Sequence, residues 1–293
     1  MKITPTKILF CHNQWHSAAQ VQLVVPSIDN GVYLVADKTP FHPVSHIWPD
    51  HPADQGEVRH GDKVYSVKNC LVGAVDLENG ELYVDKAIPV KRDTQGWAFV
   101  VVHELTTPLE EINVESGDEI QLNVDQEYQQ SLSRGHSAGH IAYLALNKVL
   151  NQAYWRKDAD RKDPLGHYDF NSYAQETSFV HPDRCVDTYR LGKTLRKRGL
   201  NSANMLEDLE QVTLSVNEQV KQWLATGSAV SMRLEGESLT DSRYWSTTLD
   251  GKALELPCGG THINHTDEYS AISVELHQID AQTIEMHTTV TNH

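Results

Sequence analysis

Four side chains stand where chemistry is most legible. His136 and His140 are four residues apart. On a helix that spacing puts both imidazoles on one face, with Cβ atoms about 6 Å apart. Pro257-Cys258-Gly259-Gly260-Thr261-His262 offers a thiolate and a third imidazole at the same separation, and its two glycines let the backbone curl around an ion. Three His and one Cys make a complete tetrahedral N/S ligand set of the kind zinc takes, for one ion. The His pair alone is a weak signal, because the chain has 16 histidines and both His12/His16 and His42/His46 repeat the spacing. Those four, with His51 and His60, fall in strand or loop context without a cysteine in register, and are read as core or surface residues. A free nucleophile is a second reading of Cys258, but a thiolate beside three imidazoles is better explained as a ligand. Ser137 and Thr261 adjoin the ligands, and their hydroxyls are the candidates for catalysis. Satisfying backbone groups at a helix and a turn is their other role, weighted equally.

The His pair needs a helix to hold it. From Gln129 to Asn151, Leu132, Ile141, Leu144, Leu146, Val149 and Leu150 recur at helical spacing. A second helix is predicted from Met205 to Leu224, stopping before Gly227. The chain before them reads as short strands and turns. Asn30-Gly31 and Asn79-Gly80 separate β-branched runs, the dipeptide that supplies the positive φ angles of a tight hairpin. The run Ala98 to Val102 is a further strand, Pro40 to Gly56 a long loop, and the tail from Ser270 alternates again as strands. The composite is α+β: a small antiparallel β-barrel-like domain over 1–124, then an α+β metal-binding domain over 125–293. The polar, aromatic stretch around 151–183 reads as an insertion or surface excursion.

Composition narrows the classes. No run approaches the roughly 20 apolar residues that span a bilayer, and the first ten residues hold no apolar stretch of signal-peptide length. The four cysteines lie far apart with no C-x-x-C pair, which fits a reducing compartment. The expected location is therefore the cytoplasm. A formal charge of −15 repels polyanions on average. One segment runs against it: Arg184, Arg190, Lys193, Arg196, Lys197 and Arg198 face a single acid, Asp187. That segment is the one phosphate-facing candidate, and a solvated helix face is its equally ordinary reading.

The residues around the ligands resemble a known family. Arg134-Gly135-His136-Ser137-Ala138-Gly139-His140 is similar to the Arg-x-His-Thr-Ala-x-His element of the alanyl-tRNA synthetase editing domain and its free-standing, AlaX-type relatives. Cys258-Gly259-Gly260-Thr261-His262-Ile263, with Thr266 and Glu268, resembles the family's second metal element. Thr39, Phe41, Pro43, Pro52, Asp54 and Gly56 resemble the scaffold of its glycine-rich N-terminal loop, although Val44 to His51 here replaces the glycine run. The resemblance implies a zinc-dependent hydrolase that removes serine or glycine from mischarged alanine tRNA in trans, with tRNA as partner. Arg190, Lys193, Arg196, Lys197 and Arg198 are then the expected tRNA contacts. Two alternatives stand beside it. The first is a metal-dependent hydrolase of another aminoacyl-tRNA or small ester. The second is a non-catalytic zinc-stabilised binding module, because four protein ligands make the closed site usual for structural zinc.

Overall fold

A computed structural model describes residues 2–45, 47 and 49–292; His46 lies outside them. The chain divides into two compact units. The first comprises Met1–Gln129, Leu234–Arg243 and Gly259–Thr261, and the second Gln130–Arg233, Tyr244–Cys258 and His262–His293.

The first unit is built on nine strands: β1 (Lys7–Ile8), β2 (His16–Pro26), β3 (Val32–Ala36), β4 (Lys38–Thr39), β5 (Gly56–His60), β6 (Lys63–Asp76), β7 (Leu82–Val84), β8 (Trp97–Leu105) and β9 (Glu119–Val124). Six of them close into an antiparallel barrel in the order β5-β9-β2-β3-β8-β6, because β5 pairs with both β9 and β6; β7 extends the sheet beyond β6. Closure leaves no unpaired edge on those six strands. Val32, Leu34, Ala36, Val101 and Leu105 join one buried cluster with Val58 and Leu122. Tyr33, Val35, Ala98, Val100 and Val102 join another. Residues of both parities are thus covered, and β3 and the Trp97–Val102 part of β8 read as unbroken apolar runs rather than alternating ones.

The two Asn-Gly turns differ in what their glycines do. Gly80 holds φ +78°, as expected of a hairpin glycine. At the first turn Asn30 takes the positive φ, +61°, and Gly31 does not. A Cβ on Gly31 would lie 2.2 Å from the carbonyl oxygen of Leu105, so this glycine serves a close backbone approach.

Beneath the barrel wall lies a buried carboxyl. Asp54 Oδ2 accepts from the His42 amide at 2.7 Å and from Gln129 Nε2 at 2.5 Å, while Oδ1 has no hydrogen-bond partner among the described residues. Burial pushes Asp54 up from 3.8 to about 7, and pushes His51 and His103 down from 6.5 to about 4. Between pH 4 and 6.5 the unfolded chain protonates those histidines and the fold does not, so they make stability rise with pH. Asp54 opposes this, since the fold keeps a proton that the unfolded carboxyl loses above 3.8. Asp54→Asn is therefore expected to steepen the rise in stability between pH 4.5 and 6.5, by at most about 1.4 kcal/mol per pH unit. Denaturant titrations at several pH values would measure it, and equal slopes in the two proteins would exclude a protonated Asp54.

The second unit carries α1 (Gln126–Ala153, whose first residues count with the first unit), α2 (Phe170–Ala174), β10 (Gln175–His181), β11 (Arg184–Arg190), α3 (Lys193–Arg198), α4 (Ser202–Glu207), α5 (Leu209–Thr226), β12 (Ser231–Leu234), β13 (Arg243–Leu249), β14 (Lys252–Pro257), β15 (Tyr269–Gln278) and β16 (Thr283–Asn292). Strands β10-β11-β16-β15 form one antiparallel sheet and β12-β13-β14 another. The amide of Asn217 on α5 bonds both backbone groups of Val274 on β15, at 2.7 and 2.9 Å, and pins helix to strand. The predicted second helix is interrupted at Asp208, whose carboxylate accepts from the Tyr154 hydroxyl at 3.1 Å. The stretch read as an insertion or surface excursion supplies Tyr154, Leu165, Phe170 and Ala174 to the buried core. Its polar residues hid four well-spaced apolar ones. Among the described residues no helix is long and apolar enough to cross a membrane, and no disulfide joins any cysteines.

Candidate metal centre

Helix α1 owes its closeness to β10 and β11 to two glycines in the His motif. A Cβ on Gly135 would lie 2.5 Å from the His181 carbonyl oxygen and 2.6 Å from that of Arg184; one on Gly139 would lie 2.8 Å from Cys185 Sγ. Arg134 locks the contact through Asp183 in the turn between those strands, with Nε–Oδ1 2.5 Å and Nη2–Oδ2 3.2 Å. His136 and His140 stand one turn apart on this anchored helix, ring centroids 4.8 Å apart. Cys258 directly follows β14, whose hairpin with β13 is closed by Asp250 and Gly251, both at positive φ.

The four side chains converge. Cys258 Sγ lies 3.4 Å from His136 Nε2, 3.3 Å from His140 Nε2 and 3.2 Å from His262 Nε2. All four ligand atoms lie within 4.8 Å of one another. Zn–S and Zn–N bonds of about 2.3 and 2.0–2.1 Å at tetrahedral angles set S···N edges of about 3.5 Å. The three sulfur edges therefore fit a tetrahedral ion, and the cluster can hold one. His136 and His262 are buried, and burial pushes His140 down to about 4, which keeps its ring in the neutral, ligating form.

The surrounding shell fixes the rings. With Nε2 of His262 turned to the sulfur, Nδ1 carries the proton and donates to Ser137 Oγ at 2.9 Å; the Ile263 amide donates to the same oxygen at 3.2 Å. Ser137 is fully buried, so both acceptor sites of its hydroxyl are spoken for. Trp245, also fully buried, lies against His140 at 5.0 Å and His262 at 6.1 Å between centroids, and Tyr143 flanks His140 at 5.8 Å. Sequence reasoning passed over both rings. The signal for Trp245 was the Asp250-Gly251 turn, which sets Trp245 opposite Leu256 and alternates Trp245, Thr247 and Leu249 inward.

Thr261 counts with the first unit. There it is buried, with Oγ1 3.3 Å from His51 Nε2. His51 Nδ1 lies 2.8 Å from the Pro52 carbonyl and donates to it, so Nε2 accepts from the threonine. His42 is a buried histidine packed on the rings of Phe10 and His51, and His16 and His60 bond Asn123 and the Asn113 carbonyl. The basic segment is no single helix face: Arg190 ends β11, while Lys193, Arg196, Lys197 and Arg198 lie on α3, all of them exposed. Arg190 meets Glu176 at 3.4 Å, and Arg198 pairs with Asp160.

Comparison with known proteins adds a second line. No family model matches the chain. It is 25% identical over 254 residues to the alanine–tRNA ligase of Rubrobacter xylanophilus, covering 85% of this chain and 23% of the relative. With the alanine–tRNA ligase of Caldivirga maquilingensis it shares 24% identity over 273 residues, 93% of this chain and 25% of the relative. With that of Methanosarcina acetivorans it shares 28% over 151 residues, half of this chain. The alignments and the metal-ligand motifs agree: the chain is related to the alanine–tRNA ligases over most of its own length, and spans about a quarter of theirs.

Proposed function

We propose that this protein is a zinc-dependent hydrolase that deacylates mischarged tRNA in trans, with alanine tRNA carrying serine or glycine as substrate. The observation that carries the reading is the His136/His140/Cys258/His262 cluster, in a chain aligned over most of its length with alanine–tRNA ligases. Three imidazoles and a thiolate suit zinc better than the oxygen-preferring divalent ions. When bound, the ion supplies Lewis acidity and a fixed point for orienting substrate. An aminoacyl ester is already activated, so positioning and modest electrostatic help suffice.

The chain's own residues have distinct tasks in this reading. Ser137 is a positioning residue, holding His262 by Nδ1 rather than meeting substrate as an acceptor. Thr261, whose hydroxyl lies 3.3 Å from His51 Nε2, is the second candidate hydroxyl for catalysis. Trp245 and Tyr143 keep water from one side of the ligands. Arg190, Lys193, Arg196, Lys197 and Arg198 take the RNA backbone. Ser137→Ala is expected to weaken zinc by about 10–100-fold, the usual effect of losing a ligand's orienting partner. Competition with a chromophoric chelator reads this directly, and unchanged affinity would remove Ser137 from that role.

The deciding experiment incubates the purified chain with alanine tRNA charged with serine, glycine or alanine. Serine or glycine should be released well above the protein-free rate while alanyl-tRNA persists. Hydrolysis no faster than the blank for all three would overturn the reading. The closed four-ligand set favours one competing reading, a zinc-stabilised module without activity. Chelation would then unfold a protein in which no deacylation had been measurable.

A further inference from the structure

The second unit gathers cations and aromatic rings that lie apart in sequence. Across 155–162 and 190–198, nine cations stand against two acids in a chain whose net charge is −15. The fold docks these segments: the Arg156 amide donates to the Gly199 carbonyl at 2.8 Å, the Asn201 amide donates to the Tyr154 carbonyl at 2.7 Å, and Trp155 bridges to Leu200. Arg156, Lys157, Arg161 and Lys162 therefore join the exposed cations of α3. Rings lie among them. Trp155 is 5.2 Å from Tyr168 and 6.2 Å from Tyr173, and the guanidinium groups of Arg161 and Arg198 are 5.1 and 5.9 Å from the Tyr173 ring. Beside them opens a cavity of about 470 Å³ lined by Tyr173, Gln175, Glu176, Arg190, Lys193 and Gln282, with Glu176 paired to Arg190 at 3.4 Å.

We propose that this cavity and its cationic surround bind a single-stranded RNA segment. One base lies against Tyr173, its edge within reach of Gln175 and Gln282, and the adjoining phosphates lie on Arg190, Lys193 and the α3 cations. Lysines and arginines alone would take any polyanion. The Tyr173 ring in the lining favours one with exposed ring faces, which unpaired nucleotides have and a duplex does not. The cavity and the metal-bearing helix meet the same strand. Arg184 touches Gly135, the neighbour of His136, and six residues further along β11 Arg190 lines the cavity, about 20 Å away at strand rise. This deepens the proposed function, on which only the identity of the RNA rests.

The test measures anisotropy of a labelled, unstructured RNA dodecamer with the full chain, beside an abasic oligomer of the same backbone length and a duplex of the same sequence. The single strand should bind at least about 10-fold tighter than the abasic oligomer. The double variant Arg190→Gln/Lys193→Glu alters exposed side chains and should fold. It is expected to lose about 10-fold or more in affinity, with the slope of log K against log salt shallower by about 1.4 for two lost phosphate contacts. Tyr173→Ala should abolish the preference over the abasic oligomer; because the Tyr173 hydroxyl accepts from the Arg161 amide, the double variant remains the decisive arm. Unchanged affinity and salt slope in the double variant, equal binding of the abasic oligomer, or tighter binding of the duplex would each overturn the proposal. Deacylation separates the two ideas. Deacylation by the wild type with a KM unmoved in the double variant sinks the pocket alone. Pocket-dependent RNA binding without any deacylation sinks the hydrolase alone.

Discussion

His140→Ala is expected to leave the protein without a stoichiometric metal ion and without deacylase activity. Loss of an orienting partner weakens a metal by about 10–100-fold, and loss of a ligand exceeds that, because the ion must also replace one of its four bonds. Three donors would remain, with His136 and His262 still 3.4 and 3.2 Å from the sulfur. The fold itself should survive, since the anchoring contacts of Arg134, Gly135 and Gly139 and the α1 core residues Ile141, Leu144 and Leu146 are untouched. Metal content after dialysis and deacylation of seryl-tRNA report the two effects separately. A variant that keeps one zinc per chain and full activity would remove His140 from the site. A variant that loses zinc but keeps activity would show that the reaction does not need the metal.

Trp245→Ala should cost about 3–5 kcal/mol of stability, the range for emptying a large buried aromatic position. Trp245 is fully buried and packs on both His140 and His262. The cavity would open beside the ligands, so metal affinity should fall with stability. Its indole Nε1 has no hydrogen-bond partner among the described residues. Trp245→Phe therefore sacrifices only ring volume, and should cost much less than the alanine change. Urea unfolding of the three proteins under saturating zinc gives the comparison. Equal losses for Phe and Ala would mean that the indole N–H, not the ring's bulk, is what matters there.

The reach of sequence reading follows the range of the interaction involved. Helix α1 was legible because its apolar period is local, and its observed span of Gln126–Ala153 brackets the expected one. The turn at Gly80 was legible because positive φ is a property of a residue and its neighbours. The break at Asp208 was not, because it is drawn to a tyrosine 54 residues away. The apolar run of β3 gave its strand, but barrel closure rests on β5 pairing with both β6 and β9, which no local pattern encodes.

For the metal cluster the division is sharp. Spacing alone paired His136 with His140 and Cys258 with His262, since four residues on a helix or a glycine-curled loop place two donors together. Only the tertiary structure brought the pairs within 4.8 Å of each other across more than a hundred residues. The glycines at 135 and 139 could be read as motif letters, but their reason is the β10–β11 backbone pressed against Gly135 and the Cys185 side chain against Gly139. Ser137 was read as one of two hydroxyls beside ligands; the fold turned it to Nδ1 of His262. The basic run at 184–198 was visible as charge, while its rings and its second set of cations came from residues 155–173, docked through backbone hydrogen bonds. Residue types and short spacings determined which chemistry this chain can do. Long-range packing decided which of those groups meet, because the free energy that brings distant segments together lies in buried contacts that neither segment has alone.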